Sequence, residues 1–358
     1  MLSNRFLASI HSRNESLINV TRELTINSLT SRYWQKKRIP EVCQSFTHWS
    51  NHLPWISRGE IPPRFSISYE SYEMGPRITK LPEIAYGPNV STNGFLSEFI
   101  AERWPNATTV YTDGSRLNEQ VGCALYDTTN GHSRSFRLWN CASIYSAEAY
   151  AILQALVYAI ELEDSCQQLV ILSDSQSELS KLKNATPNSH LTFLEAEILR
   201  NAAELRKYNK SVHMIWIRGH RGIEGNTLVD ERARLSTQIP LRMLVPPCFP
   251  HTDLRREFFL NLRRKWREFH SNYHAGRRYV SLFPPPTKQR WFQQLPATTP
   301  TNFIRTMTRL RTGHALTRSY LNAIQQCDSD VCLQCNTEPE TLEHIFLSCP
   351  SYSAERNC

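Results

Sequence analysis

Residues 219–230 read Gly-His-Arg-Gly-Ile-Glu-Gly-Asn-Thr-Leu-Val-Asp, and this stretch decides how the rest of the chain is interpreted. It follows His213–Ile217, whose apolar residues are typical of a buried strand. It runs into Asn226–Leu235, which is predicted to be a helix opened by Asp230. Gly219, Gly222 and Gly225 favour a tight loop between this strand and this helix. The stretch therefore joins a strand to a helix and places a histidine and a carboxylate at that junction.

The residues before this stretch carry strand and helix patterns in orderly succession. Strands are predicted at Thr109–Thr112, Val121–Tyr126, Ser135–Trp139, Leu169–Ser173 and His213–Ile217. Helices are predicted at Ser146–Ile160, with Ser146 as its cap, at Leu191–Arg206 and at Asn226–Leu235. Three hairpin strands followed by alternating helices and strands predict an α/β fold, a mixed five-stranded sheet with flanking helices.

Acidic residues fall at strand ends or helix starts of this predicted fold. Asp113 and Asp174 end the first and fourth strands, Glu148 lies in the first turn of the first helix, and Asp230 opens the last one. Taken singly, a strand-end Asp is usually a turn residue and a helix-start Glu usually answers the helix dipole. Taken together, acids from different elements form the kind of site in which two Mg²⁺ or Mn²⁺ ions hydrolyse a phosphodiester.

These motifs resemble a known family. Thr112-Asp113-Gly114-Ser115, Ala147-Glu148, Ser173-Asp174-Ser175 and residues 219–230 match type-1 ribonuclease H in order and spacing. More narrowly, they resemble the ribonuclease H region in the polyproteins of arthropod-type non-LTR retrotransposons. The resemblance covers residues 107–236 and implies a ribonuclease H-like fold that cuts the RNA strand of RNA–DNA hybrids. Arg218 stands where the family usually has Pro, and Val229 where Ala is common.

The resemblance also implies roles for individual residues. Asp113, Glu148, Asp174 and Asp230 would bind the two metal ions. His220 matches a loop histidine thought to aid proton transfer or product release, although a histidine in a glycine-flanked loop is often a plain surface residue. Hybrid would be recognised through its 2′-hydroxyls, with contacts expected near Ser115, Ser146 and Asn226, unless these serve only as turn or capping residues.

Positive charge is concentrated after this region. The chain has a formal net charge of +8, residues 241–320 hold 15 Lys and Arg against 3 Asp and Glu, and residues 107–236 are nearly balanced. Such a block predicts phosphate contacts, and Arg255–His270 can form a basic amphipathic helix. The expected partner is single-stranded RNA or DNA, on which Trp266 could stack. Alternatively, Trp266, Phe258, Phe259 and Phe269 form a helix core.

A cysteine motif lies near the carboxyl end of the chain. Cys332, Cys335, His344 and Cys349 have the spacing Cys-x2-Cys-x8-His-x4-Cys, which suits tetrahedral Zn²⁺. The motif resembles the CCHC zinc knuckle found in the same retrotransposon polyproteins. The alternative is a set of unrelated thiols in a helical tail, and Cys327 and Cys358 stand outside the motif under the zinc interpretation.

The sequence predicts a division of the chain into four regions. Residues 1–106 are a connector of unassigned function, 107–236 the nuclease domain, 237–320 a Pro-rich linker and basic helical segment, and 321–358 the zinc module. The linker is marked by Pro240, by prolines at 246–247 and by Pro250, and prolines at 284–286 interrupt the segment that follows the basic helix. No signal peptide or membrane span is evident, which predicts an intracellular protein of the nucleus, the cytoplasm or both.

Two alternatives to an active ribonuclease H stay open from the sequence. No Tyr/Phe-x-Asp-Asp turn occurs, so the polymerase centre of an intact element is expected to be missing, and the resemblance implies a truncated element. The first alternative is a non-catalytic, nucleic-acid-binding remnant, against which the retention of all four acids and His220 argues. The second is an integrase-type nuclease of similar fold, which is disfavoured by its different acid spacing and its lack of a Gly-His-x-Gly-Ile string.

Overall fold

The computed structural model of the chain describes residues 2–51, 53, 67–162, 166–240, 249–272, 283 and 290–356. The prolines at 246–247 and 284–286 lie outside these residues. The chain divides into two compact units, Met1–Leu260 and Asn261–Cys358. None of the described helices is long and apolar enough to cross a lipid bilayer.

The first unit contains most of the regular structure. Its helices are α1 (Leu2–Arg13), α2 (Glu15–Thr30), α3 (Glu41–Trp49), α4 (Tyr69–Glu73), α5 (Thr92–Arg103), α6 (Ile144–Glu161), α7 (Gln176–Lys183), α8 (Phe193–Lys207), α9 (Glu224–Ser236) and the start of α10 (Arg255–Asn272). Its strands are β1 (Arg77–Lys80), β2 (Thr108–Leu117), β3 (Gln120–Asp127), β4 (His132–Leu138), β5 (Gln168–Ser173) and β6 (Ser211–Trp216). Short 3₁₀ turns occur at Trp34–Lys36, Glu83–Tyr86 and His251–Leu254.

The strands form one mixed sheet in the order β1-β6-β5-β2-β3-β4. The neighbours β1, β6, β5 and β2 are parallel, whereas β2, β3 and β4 are antiparallel. The α/β class and the flanking helices predicted from the sequence are confirmed, but the sheet has six strands rather than five. The additional strand, β1, comes from the connector region, to which the sequence analysis gave no structure.

Helices cover both faces of the sheet because alternate strand residues point in opposite directions. Leu169 and Ile171 of β5 belong to the core that includes α6 and α8. Val170 and Leu172 belong to the second core, together with residues of α5 and α9. This burial on two faces explains why β5 reads as a continuous apolar run.

Two helices begin earlier than the sequence predicts. Helix α6 starts at Ile144, and its cap is Ser143, whose side chain accepts a hydrogen bond from the Ser146 backbone, so Ser146 is not the cap. Glu148 consequently lies in the second turn of α6 rather than the first. Helix α9 starts at Glu224, and Asp230 likewise lies in its second turn instead of opening the helix.

Residues 249–258 pack against the rest of the first unit. Phe249 and Phe258 are buried, and Phe258 meets Trp49 edge to face. Asp253 is also buried, and it receives hydrogen bonds from the Ser146 side chain and from Ser143 at the start of α6. Part of the stretch predicted as linker and basic segment therefore supports the helix that carries Glu148.

The second unit contains the remainder of α10 and the cysteine-rich end of the chain. It includes a 3₁₀ turn at Trp291–Gln294, α11 (Thr301–Thr312), α12 (Arg318–Ala323), a π-helical turn at His344–Ser348, a 3₁₀ turn at Pro350–Tyr352 and α13 (Ser353–Arg356). Helix α10 confirms the helix predicted at Arg255–His270. Trp266 and Phe269 stack on each other and are 49% and 55% exposed, so neither is a core residue of the described chain.

Candidate active site

The carboxylates of Asp113, Glu148 and Asp174 lie together where β5 ends. One oxygen from each lies within 4.8 Å of the others. The sequence predicted Asp113 at the end of its strand, but β2 continues past it to Leu117, so Asp113 lies in the middle of β2. Asp113 and Asp174 meet because β2 and β5 are parallel neighbours in which Thr112 pairs with Ser173, the residue before Asp174. Asp113 and Glu148 are only 7% and 6% exposed, so this cluster holds acidic groups in a largely dehydrated place.

Gly114 permits the close approach of β2 to helix α6. A Cβ atom at this position would lie 2.8 Å from the Glu148 backbone nitrogen and 2.9 Å from the Ala147 Cβ. Contacts this short involve backbone atoms that cannot swing away, so any side chain here would push the strand from the helix. The glycine is therefore required for Glu148 to reach Asp113.

Burial and mutual repulsion raise the pKa values of the clustered acids. The pKa of Asp113 is raised to about 8, first by burial and then by the nearby negative charges of Asp174 and Asp230. The pKa of Glu148 is raised well above its usual range, first by burial and then by the nearby negative charges of Asp113 and Asp174. Burial also raises the pKa of Asp174, against the opposing influence of His220 and of a hydrogen bond from the Asn226 side chain. Acids in such an arrangement favour a cation among them.

Asp230 and His220 lie beside this cluster. Asp230, on α9, is near enough to Asp113 and Asp174 to raise the pKa of both, although it is not one of the three acids that converge within 4.8 Å. His220 lies in the loop between β6 and α9 and acts electrostatically on Asp174. A Cβ atom on the preceding Gly219 would lie 2.7 Å from Asp174 Oδ2, so this loop passes directly against that carboxylate.

The three residues expected to contact hybrid are placed differently from one another. Ser115 is half-buried on β2, next to the acids. Ser146 is 1% exposed and its hydroxyl bonds with Ser143 and Asp253, so it cannot touch a nucleic acid strand directly. Asn226 is also buried, and its side chain hydrogen-bonds to Asp174. Ser146 thus hydrogen-bonds to Ser143, the residue that caps α6, and Asn226 supports Asp174.

A groove of about 650 Å³ opens beside the acids. It is lined by Glu148 and Asp174 and by the polar residues Tyr145, Ser175, Gln176, Ser177 and Ser180. The groove is open along the start of α7, and Ile144 adds an apolar side chain to its lining. Its shape suits an elongated polar substrate more than a small molecule enclosed in a pocket.

The cysteine motif also comes together in the second unit. One ligand atom from each of Cys332, Cys335, His344 and Cys349 lies within 4.8 Å of the others. Cys335 Sγ is 3.3 Å from His344 Nε2, and the other ring nitrogen, Nδ1, is 2.9 Å from Glu338 Oε2. A carboxylate on the second imidazole nitrogen is the usual support of a zinc-binding histidine.

Comparison with known proteins finds a family match for part of the first unit. Residues 105–238 match the RNase H family. The Pol polyproteins of equine infectious anemia virus, isolates 1369 and CL22, are each 30% identical over 165 residues, which is 45% of this chain. The chain covers only 13% of the length of each of these polyproteins. RNase H1 from Halobacterium salinarum NRC-1 aligns structurally over 36% of this chain and 96% of its own, at 19% identity and a TM-score of 0.28.

Residues 105–238 form an RNase H domain. This domain has homology to viral Pol polyproteins. It carries Asp113, Glu148, Asp174, Asp230 and His220, the acids and the histidine that the sequence motifs singled out.

A second buried acidic group near the RNase H site escaped the sequence analysis. Glu178 of α7 is fully buried, and burial, followed by Glu195, raises its pKa to about 8. Glu195 accepts hydrogen bonds from Tyr145, Lys181 and the Thr192 backbone. The Thr192 and Glu195 pair is a capping box readable from sequence, but nothing local indicates that Glu178 packs beside it.

Proposed function

We propose that the RNase H domain hydrolyses the RNA strand of RNA–DNA hybrids with two divalent metal ions, Mg²⁺ or Mn²⁺. The observation that carries this proposal is the convergence of Asp113, Glu148 and Asp174 within 4.8 Å, with Asp230 beside them. The RNase H family match supports the choice of substrate, because the same acids on another fold would fit many phosphoryl substrates.

The residues present fit a divalent metal site. The converging groups are carboxylates, the ligands that Mg²⁺ prefers. Oε2 of Glu148 is buried and has no hydrogen-bond partner among the described residues. An orphaned acceptor of this kind costs stability unless a ligand satisfies it. When bound, the ions would activate the attacking water and stabilise the charge on the leaving oxygen.

The chain's own residues would organise the reaction around this site. Asp113, Glu148 and Asp174 would hold the reacting centre where β5 ends beside β2, and Asp230 adds negative charge from α9. Asn226 orients the Asp174 carboxylate by hydrogen bonding. His220 would move a proton or assist product release next to Asp174, on which it acts electrostatically.

Cleavage of a labelled hybrid by the full chain tests this proposal. The substrate panel is RNA–DNA hybrid, single-stranded RNA, double-stranded RNA and double-stranded DNA, each with Mg²⁺, with Mn²⁺ and with chelator. We expect cleavage of the hybrid's RNA strand only, lost in chelator, with 3′-hydroxyl and 5′-phosphate ends. Hybrid binding without cleavage would instead establish the non-catalytic remnant.

We also propose that the chain derives from an arthropod-type non-LTR retrotransposon. The Pol polyprotein homology supports a retroelement, and the Cys3His cluster after the RNase H domain favours the non-LTR type. Sequencing the genomic DNA on both sides of the coding region tests this. Long terminal repeats around the element would contradict the proposal, and a neighbouring Tyr/Phe-x-Asp-Asp polymerase motif without such repeats would support it.

We propose further that the second unit is a Zn²⁺-containing arm that binds single-stranded RNA or DNA. The supports are the net positive charge of residues 241–320 and the exposed pair Trp266 and Phe269 on α10. Exposed Arg264, Lys265 and Arg267 flank this pair on the same helix. Cations beside stacked aromatic rings are the usual means of holding single strands without sequence preference.

A further inference from the structure

The loop between β6 and α9 carries His220 in an unusual backbone conformation. His220 has φ 55° and Gly222 has φ 71°, so two residues of this short loop are left-handed. A left-handed non-glycine residue costs free energy and persists only where its surroundings hold it. The position of the imidazole therefore depends on what fixes the two ends of the loop.

The first end of the loop is held by the segment before the RNase H domain. The Arg218 backbone N–H donates to the Tyr86 hydroxyl at 2.8 Å. The Arg218 guanidinium bonds to Glu83 Oε2 at 2.6 Å and lies over the Tyr86 ring, 4.9 Å from its centroid. Glu83 is largely exposed, so its ion pair is weakened by solvent and the Tyr86 hydrogen bond is the firmer contact.

The other end of the loop is held by Asn93 of α5. Its Nδ2 donates to the Gly222 carbonyl at 3.0 Å, and its Oδ1 accepts from the Glu224 backbone N–H at 3.0 Å. Ile223, the residue before α9, has no polar side chain to cap the helix, so Asn93 caps it from 131 residues away in the sequence. One amide thus fixes both the loop end and the start of the helix that carries Asp230.

The segment that supplies these contacts is itself firmly anchored. Strand β1 pairs in parallel with β6, and the Leu81 backbone N–H donates to the Trp216 carbonyl at 3.0 Å. Leu81, Ala85 and Leu96 are buried in the same core as Ile217 and Ile223, which flank the loop. A rigid support on one side and a strained loop on the other make these contacts a clamp rather than incidental surface bonds.

We propose that Tyr86 and Asn93 are positioning residues for His220, acting with Glu83 as a connector clamp (Glu83, Tyr86 and Asn93). This inference rests on the proposed nuclease function. The clamp fixes both ends of the loop, and Gly219 presses the loop against Asp174, so the imidazole is held beside the reacting centre. The segment containing residues 83–93 is then part of the catalytic apparatus, although it precedes the residues that match the RNase H family.

A double-mutant cycle in the full chain tests the clamp. Asn93→Ala and Tyr86→Phe should each lower kcat roughly tenfold, with the KM for hybrid within about twofold, because binding is kept while positioning is lost. In a His220→Ala background neither change should lower kcat further, since residues that act through one group are not additive. Full additivity in that background would overturn the proposal.

Three matched variants separate positioning from general damage. Asn93→Asp keeps the acceptor for the Glu224 N–H but loses the donor to Gly222, so its kcat should lie between those of wild type and Asn93→Ala. Ser97→Ala removes an exposed hydroxyl one turn further along α5 and should leave kcat within about twofold. Asn93→Gln extends the amide by a methylene and should behave like Asn93→Ala. If Ser97→Ala slows cleavage as much as Asn93→Ala, the clamp is not specific.

Amide hydrogen exchange tests the clamp independently of activity. In Asn93→Ala, exchange at residues 219–224 should be faster by about tenfold, with exchange in β5 unchanged, because local opening becomes easier without the end contacts. Unchanged exchange in this loop would overturn the clamp even if the protein cleaves hybrid. If wild type fails to cleave any hybrid, the nuclease proposal falls, and the exchange experiment still decides whether the clamp exists.

Discussion

Asp113 and Asp174 face each other because Thr112 of β2 pairs in parallel register with Ser173 of β5. A shift of one residue in this register would turn one carboxylate to the other face of the sheet. The apolar residues on both faces of β5 are buried in separate cores, and they resist such a shift. The geometry of the proposed metal site is therefore fixed by the packing of the sheet as a whole.

Removing the Asp113 carboxylate should stabilise the metal-free protein at neutral pH. Burial raises the pKa of Asp113 to about 8, together with the negative charges of Asp174 and Asp230. Between the ordinary value of about 4 and this value, the folded state keeps a proton that the unfolded state releases, so stability falls as pH rises through this window. Asp113→Asn lacks this penalty and should melt on the order of 5 °C higher than wild type at pH 7 in chelator.

The same melts provide their own control. The difference between Asp113→Asn and wild type should shrink as pH falls to 4 and below, because the carboxyl becomes protonated in the unfolded state as well as in the folded state. Added Mn²⁺ should raise the melting temperature of wild type more than that of the variant, because a ligand stabilises the state that binds it. A variant that melts below wild type at pH 7 in chelator would contradict the raised pKa.

His220→Ala should slow hybrid cleavage less than the loss of an acid does. Proton transfer by a positioned side chain is typically worth on the order of 10²-fold, whereas removal of a metal ligand also removes the charge stabilisation. Single-turnover rates of His220→Ala and Asp174→Asn at matched hybrid saturation give the comparison. Equal and complete inactivation of the two variants would remove the auxiliary role assigned to His220.

The second unit should bind about one equivalent of Zn²⁺ through Cys332, Cys335, His344 and Cys349. Hydrogen bonds from the Thr337 side chain and backbone lower the pKa of the Cys335 thiol to about 6, which favours the thiolate that zinc requires. Metal analysis of the full chain after exhaustive dialysis provides the measurement. Cys335→Ser should lose the metal and Cys327→Ser should keep it, because Cys327 lies outside the cluster. Equal zinc content in both would reject the site.

Binding of single-stranded RNA should weaken steeply with salt. Each Lys or Arg that contacts a phosphate releases a counterion, so affinity falls with salt in proportion to the number of contacts. Changing exposed Arg264, Lys265 and Arg267 together to Gln should reduce the slope of log affinity against log salt by about two to three. Trp266→Ala should weaken binding while leaving that slope unchanged, because stacking releases no counterions. An unchanged slope in the triple variant would show that these three side chains of α10 make no phosphate contacts.

The sequence predicted those parts of the fold that are encoded by local periodicity. Strands β2 to β6 and helices α6, α8 and α9 follow apolar patterns. Asp174 directly follows the end of β5 as predicted, whereas Asp113 lies within β2 and Glu148 and Asp230 lie in the second turns of their helices. The predicted starts of α6 and α9 were each two residues too late. The starts of both helices are supported by residues far away in the sequence. Asp253 accepts hydrogen bonds from Ser143 and Ser146 at the start of α6, and Asn93 caps α9. Such contacts leave no local signal.

The connector contributed the largest surprise for the same reason. Strand β1 has only four residues, is mostly exposed and lies at the sheet edge, so it lacks both the length and the alternation that reveal a strand. Tyr86 and Asn93 are unremarkable in sequence, and their partners are 132 and 129 residues away. Only the folded chain brings them to the His220 loop.

Cleavage of RNA–DNA hybrid by Asp174→Asn, compared with Glu231→Gln, tests the central claim most directly. Glu231 is an exposed acid on α9 next to Asp230, and its loss controls for the removal of one negative charge near the site. We expect wild type and Glu231→Gln to cut the RNA strand at similar rates in Mg²⁺, while Asp174→Asn remains folded, binds hybrid and is slower by several orders of magnitude. Cleavage by Asp174→Asn at the wild-type rate would contradict the account.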